Sequence, residues 1–366
     1  MTPMDVAARI PRLREHLEDA GCDALLVSGM VNVRYLTGFS GSAALVLVLA
    51  DEVVFVTDGR YGEQAVEELD AAGVEASIRV GTTLAKQREW LQAPTRGLAR
   101  LGLEAETVTW SQQRRFATEW FDGLDLVPTE GLVEALRRVK DAGEVWRMAA
   151  AAAAADAALE VVRPRLADGP TERDVALELD FEMRRQGASS SSFDTIVASG
   201  PNGAKPHHRP TDRRIGAGEL VVIDFGAVVD GYCSDMTRTL CVGEPASDTA
   251  RRMVEVVAES QRAGVAAVRA GVEARSVDEA CRSLIRDAGW ADAFLHGTGH
   301  GVGLEIHEAP RVSSASTDTL APGHVVTVEP GVYLPEHGGV RIEDTVVVEE
   351  GGCRVLTNAP KELVIA

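Results

Sequence analysis

Cysteine is scarce in this chain and follows no pattern. Five occur in 366 residues, at Cys22, Cys233, Cys241, Cys281 and Cys353, an odd number, widely spaced and without a Cys-x-x-Cys pair. That excludes a disulfide framework and a thiolate zinc site, and it fits a reducing cytoplasm. Positive charge is also short: 37 Lys and Arg against 56 Asp and Glu leave a formal net charge of -19, which opposes attraction to nucleic acid or to an anionic membrane. No hydrophobic run approaches the length that spans a bilayer, about 20 residues. The longest aliphatic stretch, Ala43 to Ala50, is stopped by Asp51 and Glu52 and reads as a buried strand. Met1 to Gly21 carries charges throughout and lacks the apolar core of a secretion signal, so no export is expected.

What is present is ordinary globular material, 45% hydrophobic and 25% charged residues, in a chain too long for one comfortable core. Two domains are therefore expected, 1–130 and 131–366. The first third alternates strand-like runs (Ala24 to Ser28, Ala43 to Ala50, Val53 to Thr57) with helical patterns (Val6 to Ala20, Arg60 to Ala72, Leu84 to Ala93), the signature of a small α/β domain ending near Pro128. Next, Glu134 to Leu166 with its tract Ala149 to Ala155 predicts one long helix, since Ala is the best helix former. A faint duplication follows: helix, Gly-containing turn and second helix ending in Gly recur at Val161 to Gly187 and at Ala263 to Gly289. It predicts two α/β halves about a pseudo-two-fold axis, with a site between them at the shared sheet.

The chemistry-bearing residues lie in three segments of that second part. Leu220 to Leu240 reads as two strands around Asp230-Gly231, a dipeptide suited to the φ > 0 turn of a two-residue hairpin. That turn sets Val229 opposite Tyr232 and Asp224 opposite Thr237. Asp235 then lies two places along on the same sheet face as a diagonal neighbour of Asp224, about 7–8 Å away at Cα. The flanking Val221, Val222, Ile223, Phe225 and Ala227 bury the first strand on both faces, and buried acids need a partner charge or a metal. In Val325 to Val348 a second hairpin centred on Glu336 places Glu329 opposite Glu343, with Arg341 in the same alternation. Between the hairpins, HGTGHGVGLEIHE holds His296, His300 and His307 among four glycines. The glycines rule out a helical pair of metal ligands and permit tight backbone approach instead. One imidazole and four carboxylates form an oxygen-rich set suited to a pair of divalent ions such as Mn²⁺, Co²⁺, Fe²⁺ or Zn²⁺, the chemistry of amide hydrolysis.

DFG at Asp224, SDMTRT at Asp235, HGTGHGVGLEIHE at His300, VEPG at Glu329 and RIEDT at Glu343 closely resemble peptidase family M24, the creatinase, aminopeptidase P, prolidase and methionine aminopeptidase group. GPNGAKPHHRP at Gly200 to Pro210 matches a further motif, and SGMVNVRYLTGFSG at Ser28 to Gly41 looks like the creatinase-type N-terminal domain. The resemblance implies a pita-bread catalytic fold from about Asp141 onward, following that small α/β domain. It implies two metal ions, most often Mn²⁺, with Asp224 bidentate on one, Asp235 and Glu343 bridging, and His300 and Glu329 on the second. His307 would stabilise or protonate the tetrahedral intermediate and His207 would contact substrate and assist proton transfer. His296 and Arg341 match active-site positions too, with positioning of ligands an equal reading for Arg341.

The creatinase-type N-terminal domain favours Xaa-Pro substrates over those of methionine aminopeptidases. The expectation is therefore a metal-dependent Xaa-Pro aminopeptidase, with Xaa-Pro dipeptidase (prolidase) second, methionine aminopeptidase third and a non-catalytic pita-bread binding protein last. The family likeness also implies a homodimer, in which the N-terminal domain, often the partner's, helps decide peptide length; the cysteine usage is what points to the cytoplasm. A complete ligand set opposes both a binding module and a metal-independent hydrolase, because four clustered buried acids without ions are electrostatically costly.

Overall fold

A computed structural model describes residues 2–365, which pack as two compact units, one of Met4–Arg137 and one of residues 138–365 with residues 2–3. The N-terminal unit is a six-stranded mixed sheet in the order β4-β3-β2-β1-β5-β6. Its strands are β1 (Ala24–Val27), β2 (Ala44–Val48), β3 (Val53–Thr57), β4 (Ser77–Val80), β5 (Arg100–Glu104) and β6 (Asp125–Thr129). Its helices are α1 (Arg9–Arg14), α2 (Met30–Thr37), α3 (Gly62–Ala71), α4 (Leu84–Gln92), α5 (Trp110–Arg115) and α6 (Leu132–Arg137). The aliphatic run beginning at Ala43 is central strand β2, and Pro128, which cannot donate to a ladder, lies on edge strand β6.

The single long helix expected over Glu134 to Leu166 is instead two. α6 stops at Arg137 and α7 runs over Ala142–Val162. Asp141 breaks the run by accepting from the Gly143 and Glu144 N–H groups while Glu144 reaches back to the Asp141 N–H. This reciprocal cap satisfies the new N-terminus, so local hydrogen bonding overrides propensity. After Val162 the chain tightens into a 3₁₀ turn containing Pro164 and ends at Gly169 in the left-handed region. Val6 to Ala20 likewise holds helical turns only through Arg14.

The C-terminal unit repeats one arrangement. α7 and α8 (Glu172–Arg185) cover a sheet of β8 (Ile196–Ser199), β9 (Leu220–Phe225), β12 (Met236–Val242) and β20 (Val364–Ile365); the short strands β7 (Ser190–Ser191), β10 (Ala227–Val229) and β11 (Tyr232–Cys233) extend its hairpin. α9 (Asp248–Ala267) and α10 (Ala274–Asp287) cover a second sheet of β13 (Gly299–Gly301), β14 (Glu308–Val312), β15 (Val325–Val328), β18 (Asp344–Glu349) and β19 (Gly352–Val355), with β16 (Gly331–Leu334) and β17 (Gly338–Arg341) as its hairpin. Each half has its own core. Ala151, Ala155, Ala158 and Leu159 meet Val221, Ile223, Phe225 and Leu240 in the first, and Met253, Val257, Val277 and Ile285 meet Val326, Val328, Val346 and Val348 in the second. The alanine tract lets α7 sit close on its sheet. These are the two α/β halves expected from the duplication and the pita-bread architecture that the family resemblance implies, with matching turn glycines Gly169 and Gly271, Gly187 and Gly289, all at positive φ. Among the described residues no helix is long and apolar enough to cross a membrane.

Candidate metal centre

Both hairpin registers are those expected from the turns. Asp230 and Gly231 have φ of 47° and 79°, Val229 pairs with Tyr232 and Asp224 with Thr237. In the second half Val328 pairs with Asp344 and Gly331 with Arg341, one continuous register that sets Glu329 opposite Glu343. The two hairpins are sewn together by side chains. Thr237 Oγ1 donates to Glu343 Oε2 at 2.7 Å and accepts from Arg341 Nε at 3.0 Å. Thr345 Oγ1 donates to the Asp235 carbonyl at 2.8 Å, and Thr239 Oγ1 to the Arg341 carbonyl at 2.8 Å. Behind them the buried Arg238 guanidinium meets Asp344 at 3.1 Å and also holds the Glu343 and Ala359 carbonyls.

The histidine segment enters as a strand edge, as the glycines required. A Cβ on Gly299 would stand 2.0 Å from the Thr327 carbonyl oxygen and one on Gly301 2.4 Å from that of Ala309, so β13 reaches its neighbours only because side chains are missing. Thr298 presents its carbonyl to the Glu329 N–H at 2.7 Å, and the His300 N–H donates to Thr327 Oγ1 at 3.1 Å. His300 Nδ1 lies 3.0 Å from the Gly301 carbonyl. With the proton held there, Nε2 offers its lone pair inward, 3.5 Å from Asp235 Oδ2 and 3.6 Å from Glu329 Oε1.

Oxygens of Asp224, Asp235 and Glu343 all lie within 4.8 Å of one another. Burial, followed by repulsion from the neighbouring acids, pushes the carboxyls of Asp235 and Glu343 well above the usual range. Burial also raises Glu329 to about 8 and lowers His300 to about 3. Asp224 Oδ1 and Glu343 Oε1 are buried and have no hydrogen-bond partner among the described residues. Orphaned carboxylate oxygens converging with an imidazole lone pair are a donor set that divalent cations satisfy and that is costly without them. The residues present therefore fit a metal.

The cluster opens into a cavity of about 600 Å³ whose lining includes all five candidate ligands with His207, His296, His307, Arg311 and Arg341. The structure thus brings together every residue expected at the site. Their surroundings differ. His307 is solvent-exposed at the cavity and packs edge-on against the His300 ring at 4.3 Å, and partial desolvation with the nearby Arg311 lowers its imidazole below the ordinary value. His207 lies on the exposed rim. His296 has both ring nitrogens engaged, Nδ1 with the Gly297 carbonyl at 2.8 Å and Nε2 with the Tyr333 hydroxyl at 2.8 Å. Arg341 donates to that same hydroxyl at 2.8 Å and to Asp224 Oδ2 at 2.5 Å, so it braces a candidate ligand. Thr237, Thr327, Tyr333 and Arg311 were not singled out by sequence. Thr237 was findable, since the Asp-Gly turn places it opposite Asp224.

Twin α/β halves joined around a carboxylate cluster define a metallopeptidase, and the chain belongs to metallopeptidase family M24, matched over residues 147–350, with a creatinase/prolidase N-terminal domain at residues 9–139. The solved structure of an Xaa-Pro dipeptidase from Bacillus anthracis is 42% identical with a TM-score of 0.94, covering 99% of this chain and 100% of its own. The Xaa-Pro dipeptidase of Pyrococcus furiosus is 35% identical over 97% of this chain and 99% of its own. An X-Pro aminopeptidase structure from Thermotoga maritima is 33% identical with a TM-score of 0.85, covering 94% and 98%.

Proposed function

We propose that this protein is an exopeptidase that hydrolyses the bond between an N-terminal residue and a following proline, using two divalent ions held by Asp224, Asp235, His300, Glu329 and Glu343. The observation that carries the reading is the buried acid cluster with its orphaned oxygens at Asp224 and Glu343. When bound, such ions supply Lewis acidity, acidifying water and polarising the scissile carbonyl. Manganese is the ion we propose, in a cytoplasmic homodimer. His307, its pKa lowered beside His300 and Arg311, can donate a hydrogen bond to the oxyanion that forms during attack. His207, on the exposed rim, can contact the peptide and move a proton there. Arg341 and Tyr333 keep Asp224 and His296 in place. The proline preference is supported by the N-terminal domain match and by the substrates named for the relatives.

For peptide length the sequence favours Xaa-Pro aminopeptidase, and one structural observation favours Xaa-Pro dipeptidase instead. Arg311 lines the cavity on β14, largely exposed, and forms no hydrogen bond or ion pair among the described residues. A free guanidinium four residues beyond His307 suits the C-terminal carboxylate of a short substrate, which it can grip in bidentate fashion. Mn²⁺-loaded enzyme assayed on an Xaa-Pro dipeptide, the matching Xaa-Pro-Xaa tripeptide and a Met-Ala peptide separates the readings. Faster cleavage of Met-Ala would refute the proline preference. Dipeptide preference that collapses in Arg311→Met would establish the dipeptidase, and a preference for the tripeptide would establish the aminopeptidase.

A further inference from the structure

One buried carboxylate that the proposed reaction does not use gathers both ends of a cavity wall. Glu172, the first residue of α8, is 0% exposed. Its Oε1 accepts from the Ser199 N–H and the Ser199 hydroxyl, each at 2.8 Å. Its Oε2 accepts from the Thr211 N–H at 3.1 Å and hydroxyl at 2.7 Å, and stands 3.1 Å from His208 Nε2. Asn202 Nδ2 lies 3.1 Å from one oxygen and 3.2 Å from the other. These donors bracket the segment 200–211, which places Pro206, His207, His208, Arg209 and Pro210 on the cavity wall.

Apart from these bonds and the Arg173 N–H, which donates to the Thr211 carbonyl at 3.1 Å, the segment has few supports. Beyond the 3₁₀ turn Gly200–Ala204 it contains no helix or strand. Its other firm support is β17: a Cβ on Gly339 would stand 1.9 Å from the Gly203 carbonyl oxygen, and Arg341 Nη1 donates to the Pro206 carbonyl at 3.3 Å. That second support leads through Arg341 to Asp224. An acid at the start of a helix commonly serves the helix itself. Here that work is done by Thr171 and Asp174, which cap α8 reciprocally, and the Glu172 carboxylate receives its bonds from the segment instead. Burial alone would raise this carboxyl, but the hydrogen bonds from Ser199, Thr211 and Asn202 outweigh it and hold it at about 2. It is therefore ionised at any working pH, and charge-assisted bonds of this kind are stronger than neutral ones.

We infer that Glu172 is a positioning residue of the hydrolytic site, fixing segment 200–211 so that His207 is presented to the peptide at the cavity rim. The inference rests on the peptidase reading above for its kinetic arm. Glu172→Gln keeps the shape but turns one acceptor into a donor facing other donors. On the Xaa-Pro peptide that wild type cleaves, kcat/KM should fall about ten- to a hundredfold, the scale of a misplaced catalytic wall. Metal content after dialysis should match wild type, and amide hydrogen exchange should quicken across 200–211 but not in β9 or β12. Thr211→Val, which removes one hydroxyl contact at the far end of the segment, should shift kinetics and exchange the same way by less. It keeps the question answerable where Glu172→Gln folds poorly. Wild-type exchange in 200–211, or metal loss parallel to activity loss, would overturn the inference. A wild type that cuts no Xaa-Pro peptide would refute the substrate reading, and exchange would still decide whether Glu172 holds the segment.

Discussion

In the first half of the C-terminal unit the histidine-bearing segment is a loop hung on the Glu172 side chain; in the second it is a glycine-rich strand, β13, pressed against backbone. Both halves use a buried acid from their second helix. Asp278 accepts from the Thr298 N–H at 3.0 Å and hydroxyl at 2.9 Å, as Glu172 does from Ser199, and Asp278 is itself paired with Arg282, which holds the His296 carbonyl. The second half therefore fixes its histidines twice, by side chain and by backbone contact. That suits a segment carrying a proposed ligand, His300, whose lone pair would have to meet fixed carboxylates. The first half holds the His207 segment mainly by side-chain bonds at its two ends, with Gly203 against Gly339 as a close backbone contact, which suits a wall that would meet a substrate.

If this division of labour is right, changes at the two segments should fail differently. The largest effect is expected where the halves meet: Asp235→Ala should abolish hydrolysis and reduce bound metal, and a metal-poor mutant with full activity would sink the two-ion reading. His307→Ala should lower kcat by about 10²- to 10³-fold, the range for loss of an oxyanion donor, with metal content near wild type. Loss of metal in that variant would make His307 a ligand. Asp278→Asn should weaken metal binding by about 10- to 100-fold, the usual consequence of disturbing a ligand's support, read by competition with a chelator, whereas Glu172→Gln should leave metal affinity unchanged. For stability, Gly299→Ala should cost about 3 kcal/mol by overpacking against Thr327. Gly203→Ala, whose Cβ would meet Gly339 N at 3.0 Å, should cost about 1 kcal/mol in urea melts, because a loop can shift. The smallest effect concerns acid. Glu172 has its folded value depressed from 4.5 to about 2, so its contribution is complete above pH 4.5 and lost as pH falls towards 2. Wild type should accordingly lose stability over that window more steeply than Glu172→Gln.

Much of the centre was legible because turns act locally. Asp230-Gly231 dictates φ > 0 at two neighbouring positions, and a two-residue turn then counts Asp224 and Thr237 into register without tertiary information. Glu336 did the same for Glu329 and Glu343. The glycines of the histidine segment were legible as a requirement for close approach but not as to what they approach, since Thr327 and Ala309 are distant in sequence. The break at Asp141 was written locally as D-A-G-E and was outweighed in reading by the alanine tract. Glu172 and Asp278 stayed hidden for a different reason. Their meaning depends on donors 20 or more residues away, with Thr298 20 positions from Asp278 and Thr211 39 from Glu172, and no periodicity reports such convergence.

The threonines that sew the hairpins together carry a further consequence. Thr237, Thr239 and Thr345 each bond across from one half to the other, at 2.7 to 2.8 Å, and the proposed ligands are split, Asp224 and Asp235 on one side and His300, Glu329 and Glu343 on the other. Neither half owns a site. A parting of the seam by one hydrogen-bond length would take apart the donor set, so a hinge between the twin halves would dismantle the site it opened. The duplicated core is thus a single jig: both halves must be seated for the donor set to exist at all.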